Sequence, residues 1–231
     1  MSGERLTIKT PDGDFSAYVA RPAQTPAPVI VVIQEIFGVN KVMRDIADDF
    51  AAQGYIAVCP DLFWRIEPGI DITDQSEAEW KRAFELFNAF DVDKGVEDIA
   101  ATIDKVRHLD GSTGQVGAVG YCLGGRLAYL TATRTDVDAA VGYYGVGIEN
   151  YLAEAEKLSR PLLLHIAAED GFVPKEAQAL IHQELDNHAR IEIHDYPGCD
   201  HAFARHGGEH YDAAAAELAN SRTAAFFKAN L

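Results

Sequence analysis

Cysteines, basic residues and long apolar runs are all scarce in this chain of 231 residues. The cysteines, Cys59, Cys122 and Cys199, form an odd and sparse set, which favours a reducing compartment over a disulfide framework. The longest strongly apolar run, residues 29–33, is too short to span a bilayer, and the opening segment MSGERLTIKT lacks a signal-peptide core. We therefore expect a cytoplasmic protein that does not bind membranes.

Acidic residues outnumber basic ones, with 36 Asp and Glu against 20 Lys and Arg and a net charge of −16. Nucleic acid is a poor partner for such a chain, because phosphates are bound by basic patches. The hydrophobic content of 48% is ordinary for a globular protein of this length, which can fold without disulfides or a structural metal. We expect a monomer without a cofactor.

The order of predicted elements indicates an α/β protein. Residues 5–10 and 15–20 alternate like the two arms of an N-terminal hairpin around a turn at 11–14. Apolar strands then alternate with helical stretches, which predicts a mostly parallel sheet with helices on both faces. No repeat or linker divides the chain, so we predict a single domain over residues 1–231.

A predicted strand at residues 116–121 runs into Gly-Tyr-Cys-Leu-Gly-Gly and then a helix. This is the nucleophile-elbow pattern with cysteine in place of serine. The glycines permit the sharp turn, which places Cys122 at a helix N-terminus, where the helix dipole favours a thiolate. The N–H of Leu123 is then available to an oxyanion. A dinucleotide-binding turn is disfavoured, because the Gly-x-Gly-x-x-Gly spacing is absent.

An elbow nucleophile is followed in the chain by an acid and then a histidine. Asp170 follows the predicted strand 162–167, and His201 lies beyond the predicted strand 191–196. Functional groups gather at the carboxyl ends of parallel strands, so we predict a triad of Cys122, Asp170 and His201. His165 lies inside a strand and is predicted to be a packed core residue.

A metal site is the competing interpretation of the downstream histidines. Cys199, His201, His206 and His210 are close in sequence, but their spacing matches no zinc pattern well. We predict no metal. Glu35 follows the strand 29–33 in Gln-Glu-Ile-Phe-Gly, where the elbow fold supplies a second oxyanion N–H, here that of Ile36. Glu35 is then either a proton acceptor for a thiol or a helix-capping carboxylate.

Several motifs resemble the dienelactone hydrolase (carboxymethylenebutenolidase) family of the α/β-hydrolases. They are the elbow itself, Gln-Glu-Ile-Phe-Gly-Val-Asn at 34–40, Val-Cys-Pro-Asp-Leu at 58–62, Val-Gly-Tyr-Tyr-Gly-Val-Gly at 141–147 and His-Ala-Phe-Ala-Arg at 201–205. The resemblance covers essentially the whole chain. It implies a cysteine-dependent hydrolase that opens an unsaturated enol lactone, dienelactone to maleylacetate, through a thioester, and a small lactone or ester substrate that carries a carboxylate.

The resemblance also implies roles for single residues. Cys122 is the nucleophile, His201 the base and Asp170 the residue that orients it, while Glu35 holds the resting thiol and accepts its proton. The remaining residues implied at the oxyanion or the substrate are Leu123, Ile36, Arg205, Phe37 and Tyr144, with Arg205 pairing with the substrate carboxylate.

Three positions of one predicted helix depart from the family. Trp80 stands where the family carries a second carboxylate-binding arginine, and Phe84 and Phe87 replace a tyrosine and a tryptophan. Arg82 or Lys81 is then the candidate to replace the missing cation. The Trp80 departure favours a second hypothesis, a generalist carboxylesterase or thioesterase on the same scaffold. A third hypothesis, which does not rest on this departure, is a catalytically silent ligand-binding or thiol-redox protein. The absence of a Cys-x-x-Cys pair argues against a redox role.

Overall fold

The computed structural model describes residues 3–231. The eight strands are β1 Glu4–Thr10, β2 Gly13–Ala20, β3 Ala27–Ile33, β4 Ile56–Pro60, β5 Ser112–Tyr121, β6 Ala139–Tyr143, β7 Leu162–Ala167 and β8 Ile191–Tyr196. The α-helices are α1 Lys41–Ala52, α2 Glu77–Ala89, α3 Val92–Arg107, α4 Leu123–Arg134, α5 Lys175–Leu185 and α6 Ala213–Asn230. A 3-10 helix covers Ile148–Lys157. The alternation of strands and helices confirms the predicted α/β class.

The chain divides into two compact units, the first ending at Gly117 and the second running from Ala118 to Leu231. The predicted single domain over residues 1–231 stays a prediction. Among residues 3–231, no helix combines the length and the apolar character that crossing a membrane requires.

In the first unit the strand order is β1-β2-β4-β3. The predicted hairpin is confirmed, because β1 pairs antiparallel with β2 in a register that places Glu4 opposite Val19 and Thr10 opposite Gly13. β2 continues antiparallel onto β4, and β4 pairs in parallel with β3. Every residue of β4 is buried, as expected for a strand covered on both faces.

Helices α1, α2 and α3 of the first unit each begin at a side-chain cap. Asn40, Ser76 and Asp91 accept hydrogen bonds from the backbone N–H three residues on, which satisfies a donor that has no partner inside the helix. At Ser76 the contact is reciprocal, because the Glu79 N–H donates to Ser76 Oγ at 3.3 Å and the Ser76 hydroxyl donates to the Glu79 carboxylate at 2.7 Å.

In the second unit the carboxyl-terminal end of β5 is followed by β6, β7 and β8 in that order across the sheet. β6 pairs in parallel with β7, and β7 pairs in parallel with β8, with Leu162 opposite Ile191 and Ala167 opposite Tyr196. Parallel strands end at the same edge, so the loops after β7 and β8 emerge side by side. The candidate site is built on these loops.

Candidate active site

The turn between β5 and α4 holds Cys122 in a backbone conformation that few non-glycine residues adopt. Its φ is 57° and its ψ is −114°. The Cys122 N–H donates to the Tyr143 carbonyl at 3.1 Å, and its own carbonyl accepts the N–H of Val146 at 3.3 Å. Backbone strain of this kind is retained where the surroundings hold it in place, and it concentrates at functional sites.

Two glycines make the turn possible. A side chain on Gly120 would overlap the backbone of Gly124, and one on Gly125 would overlap the carbonyl of Tyr143. The strand and the helix therefore approach each other more closely than any residue with a Cβ would allow. This geometry matches the elbow that the sequence predicted, and Cys122, at 6% exposure, lies at the start of α4.

Asp170 and His201 lie in the loops after β7 and β8 and are hydrogen-bonded to each other. His201 Nδ1 lies 2.9 Å from Asp170 Oδ2 and 3.1 Å from Oδ1. Asp170 Oδ1 also accepts the N–H groups of Phe172 at 2.8 Å and Val173 at 3.2 Å, which fixes the carboxylate in its loop. Because an ionised carboxylate only accepts, Nδ1 carries the proton and Nε2 of neutral His201 keeps its lone pair.

His201 is also coupled to Cys122. Burial lowers the pKa of His201, but the negative charge of Cys122 and the hydrogen bonds to Asp170 and Cys122 raise it to about 10. Within residues 3–231, Nε2 makes no hydrogen bond of good distance and angle, so the contact with the thiol is loose. Loose contacts of this kind are common in substrate-free enzymes and tighten when the substrate binds.

Two aromatic rings enclose the imidazole edge-on. The ring of Tyr144 lies 5.1 Å from that of His201, and the ring of Phe172 lies 4.9 Å away. Tyr144, Ala202 and Cys122 are the three non-glycine residues with positive φ among the residues that the structure describes. All three belong to this part of the second unit, so the strained backbone is concentrated around His201.

Asp200 is a site residue that the sequence analysis missed. Its Oδ1 accepts the N–H of Gly171 at 2.9 Å and that of His201 at 2.6 Å, so it links the loop of the acid to the loop of the histidine. Burial raises the pKa of Asp200, but these N–H donors and the charges of His210 and His201 lower it overall. The only signal in the sequence was an acidic residue directly before the candidate base.

Three of the predicted site residues lie in the first unit. Glu35, Ile36 and Phe37 follow β3 and are all buried, with Glu35 at 1% exposure. The Phe37 ring packs edge-on against Trp80 at 5.1 Å, and Trp80 stacks on Phe84 at 5.6 Å. Trp80 Nε1 donates to the carbonyl of Asp74 at 2.9 Å. Trp80 and Phe84, two of the positions that depart from the family, thus form an aromatic cluster with Phe37.

The two arginines predicted at the substrate differ in their surroundings. Arg205 is buried, at 6% exposure, in the segment that follows His201. Arg82 lies in α2 and forms ion pairs with Glu67 at 2.5 Å and Glu85 at 3.1 Å, both of them exposed. These contacts do not support a substrate-binding role for Arg82, which stays an untested prediction.

The side chains within residues 3–231 are not arranged as a metal centre. Among residues 3–231, no group of three or more His, Cys, Asp or Glu side chains is placed to hold a metal ion. His210 Nδ1 instead lies 3.2 Å from the carbonyl of His201, and the His206 ring packs edge-on against Tyr211 at 5.3 Å.

The parallel strands, the strained turn after β5 and the Asp–His pair in the loops after β7 and β8 define an α/β-hydrolase. A solved structure from Klebsiella pneumoniae subsp. pneumoniae is similar over 98% of each chain, with a TM-score of 0.85 and 28% identity. The model of the Dienelactone hydrolase family matches residues 15–231. The chain belongs to this family and is a hydrolase of ester or lactone bonds.

Curated relatives match this chain over nearly its full length. A protein of Azospirillum brasilense is 53% identical over 95% of both chains. The carboxymethylenebutenolidase of Pseudomonas putida is 45% identical over 96% of this chain and 94% of that protein. The predicted family is thereby confirmed.

Proposed function

We propose that this chain catalyses the reaction for which its relatives are named carboxymethylenebutenolidase, opening an unsaturated enol lactone, dienelactone, to maleylacetate, with Cys122 as the nucleophile. The observation that carries the proposal is the Asp170–His201 hydrogen bond of 2.9 Å in the unit where the charge of Cys122 raises the pKa of that histidine. Such a group of acid, base and strained nucleophile performs acyl transfer.

In the proposed reaction the Cys122 thiolate attacks the lactone carbonyl carbon, and the new oxyanion accepts the Leu123 N–H. The ring oxygen leaves as an enolate when the carbonyl re-forms, which yields a thioester and cleaves the lactone ring. Acylation removes the negative charge of Cys122 that raises the pKa of His201, so neutral His201 can act as a base. Water then gives a proton to His201 Nε2 and its oxygen attacks the thioester carbonyl, which expels the Cys122 thiolate and releases the acid. His201 passes that proton to the enolate, so His201 and Cys122 both return to their starting states. Asp170 keeps the imidazole in the tautomer that this step requires.

Cysteine suits this substrate class. A thiolate is a good nucleophile and also a good leaving group, so attack on a simple alkyl ester tends to reverse. An enol lactone expels a stabilised enolate, which favours the forward step. We expect low activity on peptides and alkyl esters. By resemblance to the family we also propose that Glu35 accepts the thiol proton and that the Ile36 N–H donates to the oxyanion. Phe37 and Tyr144 contact the substrate, and Arg205 pairs with the substrate carboxylate.

The test replaces the nucleophile. Cys122→Ala is expected to lower kcat/KM for dienelactone by at least about 1,000-fold, because removal of a triad member leaves only binding and oxyanion stabilisation. Cys59→Ala is the matched control, since Cys59 is a fully buried cysteine of β4. Full lactone hydrolysis by the Cys122→Ala protein would refute the proposal.

A generalist carboxylesterase or thioesterase is the second candidate function. It is favoured by the aromatic cluster of Phe37, Trp80 and Phe84 and by the two ion pairs of Arg82, which leave that guanidinium already neutralised by carboxylates. Values of kcat/KM for dienelactone and for neutral aryl esters separate the two candidates. A preference of orders of magnitude for the charged lactone supports the first, and equal values support the second.

A further inference from the structure

Arg126 lies one helical turn beyond Cys122, in the first turn of α4. Its N–H donates to the Cys122 carbonyl at 3.3 Å, so its backbone position relative to the nucleophile is set by the helix itself. The same carbonyl accepts the N–H of Val146, which brings the loop after β6 against this turn. The proposed mechanism assigns Arg126 no role.

The side chain of Arg126 lies along that loop at Gly147. A Cβ on Gly147 would stand 3.1 Å from Arg126 Nη1 and 3.5 Å from its Cδ, and φ at Gly147 is +88°. A larger residue at 147 would therefore displace the guanidinium and strain the backbone. Two residues further on, Glu149 has a buried Oε2 with no hydrogen-bond partner within residues 3–231.

The guanidinium is electrostatically coupled to the nucleophile. Burial lowers the pKa of Arg126 overall, whereas the negative charges of Tyr151 (when it is ionised), Cys122 and Glu149 act to raise it. Coupling between two ionisable groups is mutual: if a negative charge on Cys122 favours protonated Arg126, then Arg126, which stays protonated in proteins, favours the Cys122 thiolate by the same free energy.

We propose that Arg126 is a positioning residue that stabilises the thiolate of Cys122, and that Glu149 opposes it by partly neutralising the guanidinium. This inference rests on the proposed role of Cys122 in catalysis. The other ionisable groups that the second unit places around Cys122 and Arg126 are His201 with Asp170 behind it, Tyr144 at the imidazole edge, and Tyr151. Neutral tyrosines add no charge, so Arg126, His201 and Glu149 set the local charge balance.

The test measures the thiol and not turnover. Alkylation of Cys122 by iodoacetamide is followed against pH by mass spectrometry of the peptide that contains it, which separates it from Cys59 and Cys199. Arg126→Gln is expected to raise the pH of half-maximal alkylation rate by about 0.5–1 unit, since a neighbouring charge shifts a pKa by this order or more. Arg126→Lys, which keeps the charge, should shift it less, and Glu149→Gln should lower it.

Arg134→Gln is the matched control, because Arg134 lies at the far end of the same helix and pairs with Glu154 at 2.7 Å. It is expected to leave the alkylation profile unchanged. An unchanged profile in Arg126→Gln, or shifts of the same sign in Arg126→Gln and Glu149→Gln, would overturn the inference. If Cys122→Ala kept its lactonase activity, the proposed function would fail, yet the alkylation profiles would still decide the role of Arg126.

Discussion

His201 and His165 are two histidines of the second unit that are both buried, but their pKa values are shifted in opposite directions. His201 is 4% exposed and His165 is 1% exposed. The pKa of His201 is raised to about 10, whereas burial lowers the pKa of His165 well below its usual value, and the charges of His194 and Arg222 act in the same direction. Burial alone therefore does not set the pKa of a histidine, because its hydrogen-bond partners and the neighbouring charges decide the direction of the shift.

The hydrogen bonds explain the difference. Arg222 Nη1 donates to the Tyr196 hydroxyl oxygen at 3.1 Å, so that hydroxyl is left to donate to His165 Nδ1 at 2.8 Å. His165 Nε2 then carries the proton and donates to Thr223 Oγ1 at 2.9 Å. This ring is satisfied only when it is neutral. His201, by contrast, has the carboxylate of Asp170 on Nδ1, which favours the charged imidazolium.

The strongest test of this contrast is the loss of activity. His201→Gln is expected to lower kcat/KM for dienelactone by at least about 1,000-fold, because it removes the base of the proposed triad. His165→Gln is the paired control, and its activity at 25 °C should stay within about tenfold of the parent, since mutations away from the reacting groups act mainly through stability. Losses of equal size in the two variants, with both proteins folded, would show that the contrast has no catalytic meaning.

The next effect concerns stability. His165→Leu is expected to lower the free energy of unfolding by about 1–3 kcal/mol, because the Tyr196 hydroxyl and Thr223 Oγ1 would each lose a buried hydrogen bond and keep only those to Arg222 and Tyr143. Urea unfolding followed by circular dichroism measures it. His194→Leu is the control: His194 pairs with Glu192 at the surface and should cost less than about 1 kcal/mol. A small loss in His165→Leu would mean that its hydrogen bonds contribute little.

Sequence patterns predicted the parts of this site that depend on local chain geometry. The strand, turn and helix around Cys122 require glycines at fixed offsets, and the order of the elements placed Asp170 and His201 after successive parallel strands. The core location of His165 followed from its place inside an apolar strand, and its burial confirms it.

Side-chain partners far apart in sequence could not be predicted in this way. Arg82 was a candidate for the substrate carboxylate, but it pairs with Glu67, fifteen positions away. The link from Asp200 to Gly171 spans 29 positions. An acidic chain offers many carboxylates to each arginine, and only the folded backbone decides which one lies within reach. Arg126 is only four positions from Cys122, but its guanidinium lies against Gly147, in a loop that the sequence alone does not place beside it.

The smallest expected effect is the pH dependence of stability. The pKa of His165 is lowered in the folded chain, so below about pH 6.5 the unfolded chain binds a proton at this residue and the folded chain does not. The free energy of unfolding therefore falls as pH falls, by at most about 1.4 kcal/mol per pH unit from this group. The raised pKa of His201 acts in the opposite window: its contribution is present below about pH 6.5 and is lost as pH rises toward 10. Urea unfolding from pH 4.5 to 9.5 tests both. His165→Gln should flatten the acid side alone and His201→Gln the alkaline side alone, and an acid slope that is unchanged in His165→Gln would assign it to carboxylates.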